Sequence, residues 1–213
     1  RLVGVERTSN VNERVLASMM VGRDMLLREI KRTGVPGETL LSVDNLEVLS
    51  DRGLKAVRGI SFEIRSGEIL GVAGVEGNGQ SELAEAVTGL RPLLSDDVTI
   101  NKSSVKGLDP GKIRKLGVAH IPEDRLLTGI SAEANILENL ITGKQRDKEF
   151  TKAGQHLKRK AIFKYTDRVF RSFDLRAPGL HTKAGSLSGG NMQKLVVARE
   201  FSFENTAVLV ISQ

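Results

Sequence analysis

The chain has 213 residues, 39% hydrophobic and 27% charged, with 32 Lys and Arg against 26 Asp and Glu for a formal net charge of +6. This composition describes a globular protein and not a disordered one; the absence of cysteine excludes a disulfide framework and any thiolate-held zinc or iron–sulfur centre. Its three histidines, His120, His156 and His181, share no ligand-like spacing, and no apolar run approaches the roughly 20 residues that cross a bilayer.

Residues 1–32 read as a lead-in and a helix, capped by Ser9 or Asn10, with Val15, Leu16, Met19, Met20, Leu26, Leu27 and Ile30 at helical spacing. Pro36, between Gly34 and Gly37, breaks regular structure, so residues 33–38 are a linker and a second domain begins at Thr39. Strands are expected at 40–49 and 54–64, around the turn Ser50-Asp51-Arg52-Gly53. A third, at 68–73, is apolar on both faces, as a strand covered by helices must be. Glycines then lead into a helix at 81–87, stopped by Gly89 and Pro92. Strand, glycine loop and helix in that order make half of a mononucleotide-binding α/β unit.

Beyond it the pattern predicts a short strand at 98–100, a short helix at 110–115 and a strand at 117–121 halted by Pro122. Helices follow at 131–141, 161–175 and 191–201, and a buried strand at 207–211 closes the chain. Residues 144–160 hold Lys144, Arg146, Lys148, Lys152, Lys158, Arg159 and Lys160, a run that is either a solvated face or a stripe turned towards an anionic surface. With no Trp, one Tyr and seven Phe, the chain lacks the platforms that single-stranded nucleic acid stacks on.

Two glycine-rich segments carry chemistry. Gly74-Val75-Glu76-Gly77-Asn78-Gly79-Gln80-Ser81 fits the phosphate-loop spacing at every fixed position but one, because Gln80 stands where Lys belongs. Glycines let backbone amides ring a phosphate, the following helix adds its positive end, and Ser81, followed by Glu82, is the hydroxyl that would ligate magnesium. A Lys ammonium about 4 Å from a phosphate oxygen contributes up to about 4 kcal/mol at an effective dielectric near 20. A neutral amide returns only about 1 kcal/mol as a hydrogen bond. The shortfall is on the order of a hundredfold in affinity or rate. The second segment, Leu187-Ser188-Gly189-Gly190-Asn191-Met192-Gln193-Lys194, sets a hydroxyl and two glycines at the mouth of a helix. A helix cap would account for Ser188 but not for Leu187, Gly189, Gly190 and Gln193 around it.

These segments, in this order and separated by a helical stretch, resemble the ATPase domain of ABC transporters, and Leu187–Lys194 resembles that family's signature sequence. More narrowly, the chain is similar to the second, degenerate nucleotide-binding domain of importers for simple sugars and nucleosides. There the phosphate-loop Lys is missing and a sequence like Pro122-Glu123-Asp124-Arg125 replaces the Gln-loop, with Glu123 at the Gln position. The resemblance implies an α/β fold: a P-loop ATPase core over 39–213 with an antiparallel β subdomain and a helical signature subdomain at about 126–190, lacking its C-terminal part. Residues 1–32 become the tail of a preceding domain. It implies ATP as cofactor, with magnesium held weakly at this site. The implied partners are the first nucleotide-binding domain of the same subunit and an integral membrane permease, at the cytoplasmic face of the membrane, with no nucleic acid.

In that family an Asp that binds magnesium and a catalytic Glu follow the last strand; here Ser212 and Gln213 stand there. The resemblance therefore implies no catalytic residue in this half. Ser188, Gly189 and Gly190 would instead serve an ATP held by the partner domain. Two alternatives stand beside this reading: a soluble ABC-type protein acting on nucleic acid or ribosomes, and a scaffold that docks on a permease without touching nucleotide.

Overall fold

The computed structural model describes residues 8, 11, 19, 35–75, 77–94, 98–152 and 156–212. The helix expected within 1–32 and the start of the linker lie outside the described residues. The chain divides between Val35 and Pro36, and the architecture below is that of the second unit.

Its first part is an antiparallel sheet. Strands β1 (Thr39–Leu49) and β2 (Lys55–Arg65) pair as a hairpin, and β1 pairs on its other side with β3 (Val98–Ile100), which carries β4 (Ser103–Ser104) at the edge. Along β1 the buried positions run Leu41, Val43, Leu46 and Val48. The alternation slips between Val43 and Leu46, where the partner register jumps from Phe62 to Ile60. Asn45, at φ 48°, takes up the slip, and its backbone N–H donates to the Ser61 hydroxyl at 2.8 Å. The inward residues pack on Ala86 and Val87 of α1 (Gln80–Thr88) and on Ile113 of α2 (Pro110–Lys115).

The parallel part is a pair, β5 (Val118–Ile121) with β8 (Val208–Ile211), in register Val118↔Val208 through Ile121↔Ile211. Here the structure corrects the sequence reading. Residues 68–73, expected to be a buried strand, form no ladder among the described residues and are exposed, with Ile69 at 73% and Val72 at 57%. An extended segment becomes a strand only when neighbours take its backbone groups. Among the described residues, the main chain here makes a turn bond from the Glu68 N–H to the Arg65 carbonyl at 3.0 Å and one from the Asn78 N–H to the Val75 carbonyl at 3.2 Å, and neither is a ladder bond.

The helical part forms its own core. A π-helical turn, Arg125–Gly129, precedes α3 (Ile136–Ile141), which is shorter than the expected 131–141 because Asn135 and Glu138 close a capping box at its start. A small hairpin, β6 (Thr151–Lys152) with β7 (His156–Leu157), leads to α4 (Arg159–Ser172), and α5 (Gly189–Phe201) follows. Ile136, Leu140, Ile162, Val169, Met192 and Leu195 meet in this core. Lys144 departs from the expected solvated run: it is buried, its Nζ donates to the Ser202 carbonyl at 2.6 Å, and it lies over the Tyr165 and Phe203 rings. Two aromatic faces and a carbonyl replace the water it loses.

Candidate functional site

The phosphate-loop candidate joins residues 68–75 to α1. Gly79, the residue before the helix, is buried at φ 99°, and a Cβ there would come within 2.6 Å of the Ala56 carbonyl oxygen. Only glycine fits that approach. The Gln80 amide folds back into the loop: Nε2 donates to the Val75 carbonyl at 3.1 Å and lies so close over Gly74 that a Cβ on Gly74 would collide with it. The neutral side chain at the Lys position is thus engaged with the loop's own main chain.

A cavity of about 520 Å³ opens beside the loop. Gly74, Gly77, Gln80, Ser81, Glu123 and Ser212 border it on the polar side, and Leu41, Phe62, Ile64, Leu70 and Val72 on the apolar side. The structure therefore gathers three segments that the sequence reading linked only by resemblance: the loop, the Gln-loop position and the residue after β8. Asn78 and Glu82 do not border the cavity, and Gln213 lies outside the described residues. Within Pro122-Glu123-Asp124-Arg125 the roles separate. Asp124 Oδ1 accepts from the Leu126 and Leu127 amides at 2.8 and 2.9 Å and caps the π-helical turn, while Glu123 faces the cavity.

The second segment opens differently. Leu187 is buried, whereas Ser188, Gly189, Gly190 and Gln193 are exposed at the start of α5. Ser188 occupies the N-cap position, yet its hydroxyl makes no capping bond; it accepts from Asn191 Nδ2 at 3.0 Å. Asn191 is fixed in turn by the Arg176 amide, which donates to Oδ1 at 2.9 Å. A cap role therefore does not explain this serine. A Cβ on Gly190 would meet nothing within 4 Å, and one on Gly189 would lie 3.3 Å from Arg125 Nη2. None of these residues borders the cavity at the phosphate loop.

The ABC transporter profile matches residues 57–211, most of the chain. The chain belongs to the ABC transporter family. This ABC transporter chain is 39% identical over 204 residues to the guanosine import ATP-binding protein NupO of Bacillus subtilis (strain 168), which covers 96% of the chain and 40% of that relative. It is 36% identical over 198 residues to the nucleoside import ATP-binding protein NupA of Lactococcus lactis subsp. cremoris (strain MG1363), covering 93% and 39%. Against the galactose/methyl galactoside import ATP-binding protein MglA of Fusobacterium nucleatum subsp. nucleatum, identity is 34% over 198 residues, covering 92% and 38%. The chain thus spans about 40% of the length of the curated relatives it matches. Among solved structures, a nucleotide-free ATP-binding cassette from an ABC transporter superposes at TM-score 0.65 with 21% identity, covering 83% of this chain and 69% of that one. A dimeric cassette in a post-hydrolysis state, bound to ADP and Pi, superposes at 0.64 with 18% identity, covering 82% and 74%. These two likenesses establish the fold: an ABC ATPase α/β core with an antiparallel β subdomain and helices.

One feature of this ABC transporter chain escaped the sequence reading. Glu200, fully buried near the end of α5, is held by Arg114 Nη2 at 2.9 Å and Arg199 Nε at 2.7 Å, and accepts from the His120 amide at 3.2 Å. It ties the helix behind Ser188 to β5. Its position eight residues after Met192 and four after Val196, both buried, was the available signal, since that spacing puts it on the apolar face of the helix. Burial lowers the affinity of the neighbouring His120 ring for a proton, with Glu200 opposing the shift. His120 Nε2 lies 3.5 Å from the Ser212 hydroxyl, so this network reaches the residue bordering the phosphate-loop cavity.

Proposed function

We propose that this chain is the ATP-binding half of an importer subunit for nucleosides or simple sugars, with a degenerate phosphate loop of its own and a signature segment that serves an ATP held by a partner domain. One contrast carries the reading: Gln80 turns into its own loop, while Ser188, Gly189 and Gly190 stand exposed at the start of α5, with the Ser188 hydroxyl held by Asn191 and not spent on a helix cap. The relatives named above are import ATP-binding proteins, which favours nucleosides and sugars as the transported class.

By this reading Gly74, Gly77, Asn78, Gly79, Gln80, Ser81 and Glu82 form the degenerate site. Leu187, Ser188, Gly189, Gly190, Asn191 and Gln193 form the segment offered to the partner's nucleotide. ATP, when bound, supplies a terminal phosphate for the amides at the start of α5 and for the Ser188 hydroxyl. Magnesium fits poorly at the chain's own loop: the cavity presents one carboxylate, Glu123, with the Ser81 and Ser212 hydroxyls. Among the described residues no group of three His, Cys, Asp or Glu could hold a metal ion. The partners are then the other nucleotide-binding domain of the subunit and a membrane permease. No helix among the described residues is long and apolar enough to cross a membrane, which suits a peripheral subunit at the cytoplasmic face.

The test uses the assembled subunit and permease. Ser188→Arg is expected to reduce ATP turnover by about 100-fold or more, the scale of losing one positioned donor at a reacting phosphate or oxyanion. Turnover left intact would overturn the signature role. Rapid magnesium-dependent phosphate release by this chain alone would overturn the degenerate-loop assignment.

A further inference from the structure

The hairpin β6–β7 and the first turns of α4 form a cationic face. Arg146, Lys148, Lys152, Lys158, Arg159, Lys160 and Lys164 are all exposed, and the acidic residues beside them are Asp147 and Glu149. Among the described residues none of the seven cations forms an ion pair. Asp167, the next carboxylate along α4, is engaged by Arg171 at 2.9 Å. The face is held in one piece: Lys158 Nζ donates to the Lys148 carbonyl and the Lys158 amide to the Phe150 carbonyl, each at 2.8 Å. Two large apolar side chains stand within it, Leu157 at 56% exposure and Phe163 at 48%. Arg159, Lys160, Phe163 and Lys164 follow the three- and four-residue spacing of one helix side. No acidic residue occupies the first turn of α4, so the like charges there have no carboxylate on that turn to offset them.

We propose that this face docks on an anionic lipid surface, with the cations at the headgroups and Leu157 and Phe163 at the acyl boundary. Charge complementarity selects an anionic partner. The two apolar side chains select a lipid layer, because a phosphate backbone offers them nothing and one exposed phenyl ring is no stacking platform for bases. The proposal goes beyond the signature role and needs no permease, so either can fail without the other.

The experiment is flotation of the full chain with phosphatidylcholine vesicles, with and without phosphatidylglycerol, over a salt series. Binding is expected only with phosphatidylglycerol and is expected to weaken steeply as salt screens the face. The triple variant Lys158→Glu, Arg159→Glu, Lys160→Glu should reduce partitioning by about 100-fold, since each cation near such a surface is worth about fivefold. Leu157→Ser with Phe163→Ser should reduce it by about tenfold with charge unchanged. A control triple, Arg52→Glu, Arg65→Glu, Lys115→Glu, should retain binding. Equal binding to both vesicle types, or equal loss in the control, would overturn the proposal. So would salt-sensitive binding of duplex DNA that surpasses vesicle binding and is lost in the first triple variant.

Discussion

The chain has two glycine-rich helix mouths, and they are built in opposite senses. At the phosphate loop, Gly79 is pressed against the Ala56 carbonyl and Gln80 is hydrogen-bonded to Val75, so the loop is engaged with itself beside a cavity. At the mouth of α5, Gly190 faces open space and the exposed Ser188 hydroxyl accepts from Asn191 in the first turn of the same helix. Both have amides and a helix dipole to offer an anion. What separates them is the space at the glycines: Gly79 is closed in by the Ala56 carbonyl and Gly74 by the Gln80 amide, whereas Gly190 has nothing within 4 Å of where a Cβ would stand. Glycine spacing alone therefore does not report whether such a mouth is open to a ligand.

The largest expected effect bears on what holds the open mouth in place. Glu200→Ala leaves Arg114 and Arg199 beside an uncompensated buried gap and frees α5 from β5. It should cost about 3–5 kcal/mol of stability in urea denaturation. A loss under 1 kcal/mol would show that the signature helix does not depend on this carboxylate. Next comes the closed mouth. Gln80→Lys restores an ammonium where Gln80 now bonds to Val75, and nucleotide affinity measured by calorimetry should rise about 100-fold. An unchanged affinity would show that Gln80 does not limit nucleotide binding at this loop.

The smallest effect concerns pH. Burial holds His120 below the ordinary histidine range, so the folded state binds fewer protons there than the unfolded state does. Stability from this group is present above the unfolded value of about 6.5 and falls as pH drops through it. His120→Gln should therefore flatten the stability profile just below pH 6.5, measured by thermal unfolding across that range. An unaltered slope would remove His120 from the account.

The sequence located most elements because their signals are local. The β1 and β2 runs, α1 after its glycines and α5 after Gly189 all sit within a few residues of the expected bounds. It misjudged residues 68–73, since an apolar run states a preference for burial but not which neighbour will complete the ladder. It missed the Asn45 slip, where a turn-tolerant residue inside a strand was the sole trace. For the candidate site, the glycine loop was legible from spacing, whereas Leu187–Lys194, Glu123 and Ser212 were singled out through the family resemblance; the cavity then brings Glu123 and Ser212 beside the loop. The bond of Gln80 to Val75 and the hold of Asn191 on Ser188 were not, because a side chain's partner is decided by packing and not by residue type. Glu200 belongs to no motif, and only the buried positions of α5 place it on the apolar face.

The bare stretch from Ile69 to Val75 has a consequence for handling. Ile69, Leu70, Val72 and Val75 are 73%, 40%, 57% and 75% exposed, and Ile211 in β8 is 54% exposed. Backbone groups and greasy side chains presented together are a template for cross-chain pairing. Concentrated preparations of this polypeptide should thicken into oligomers through that margin, and a lysine written at Val72 should keep them dispersed.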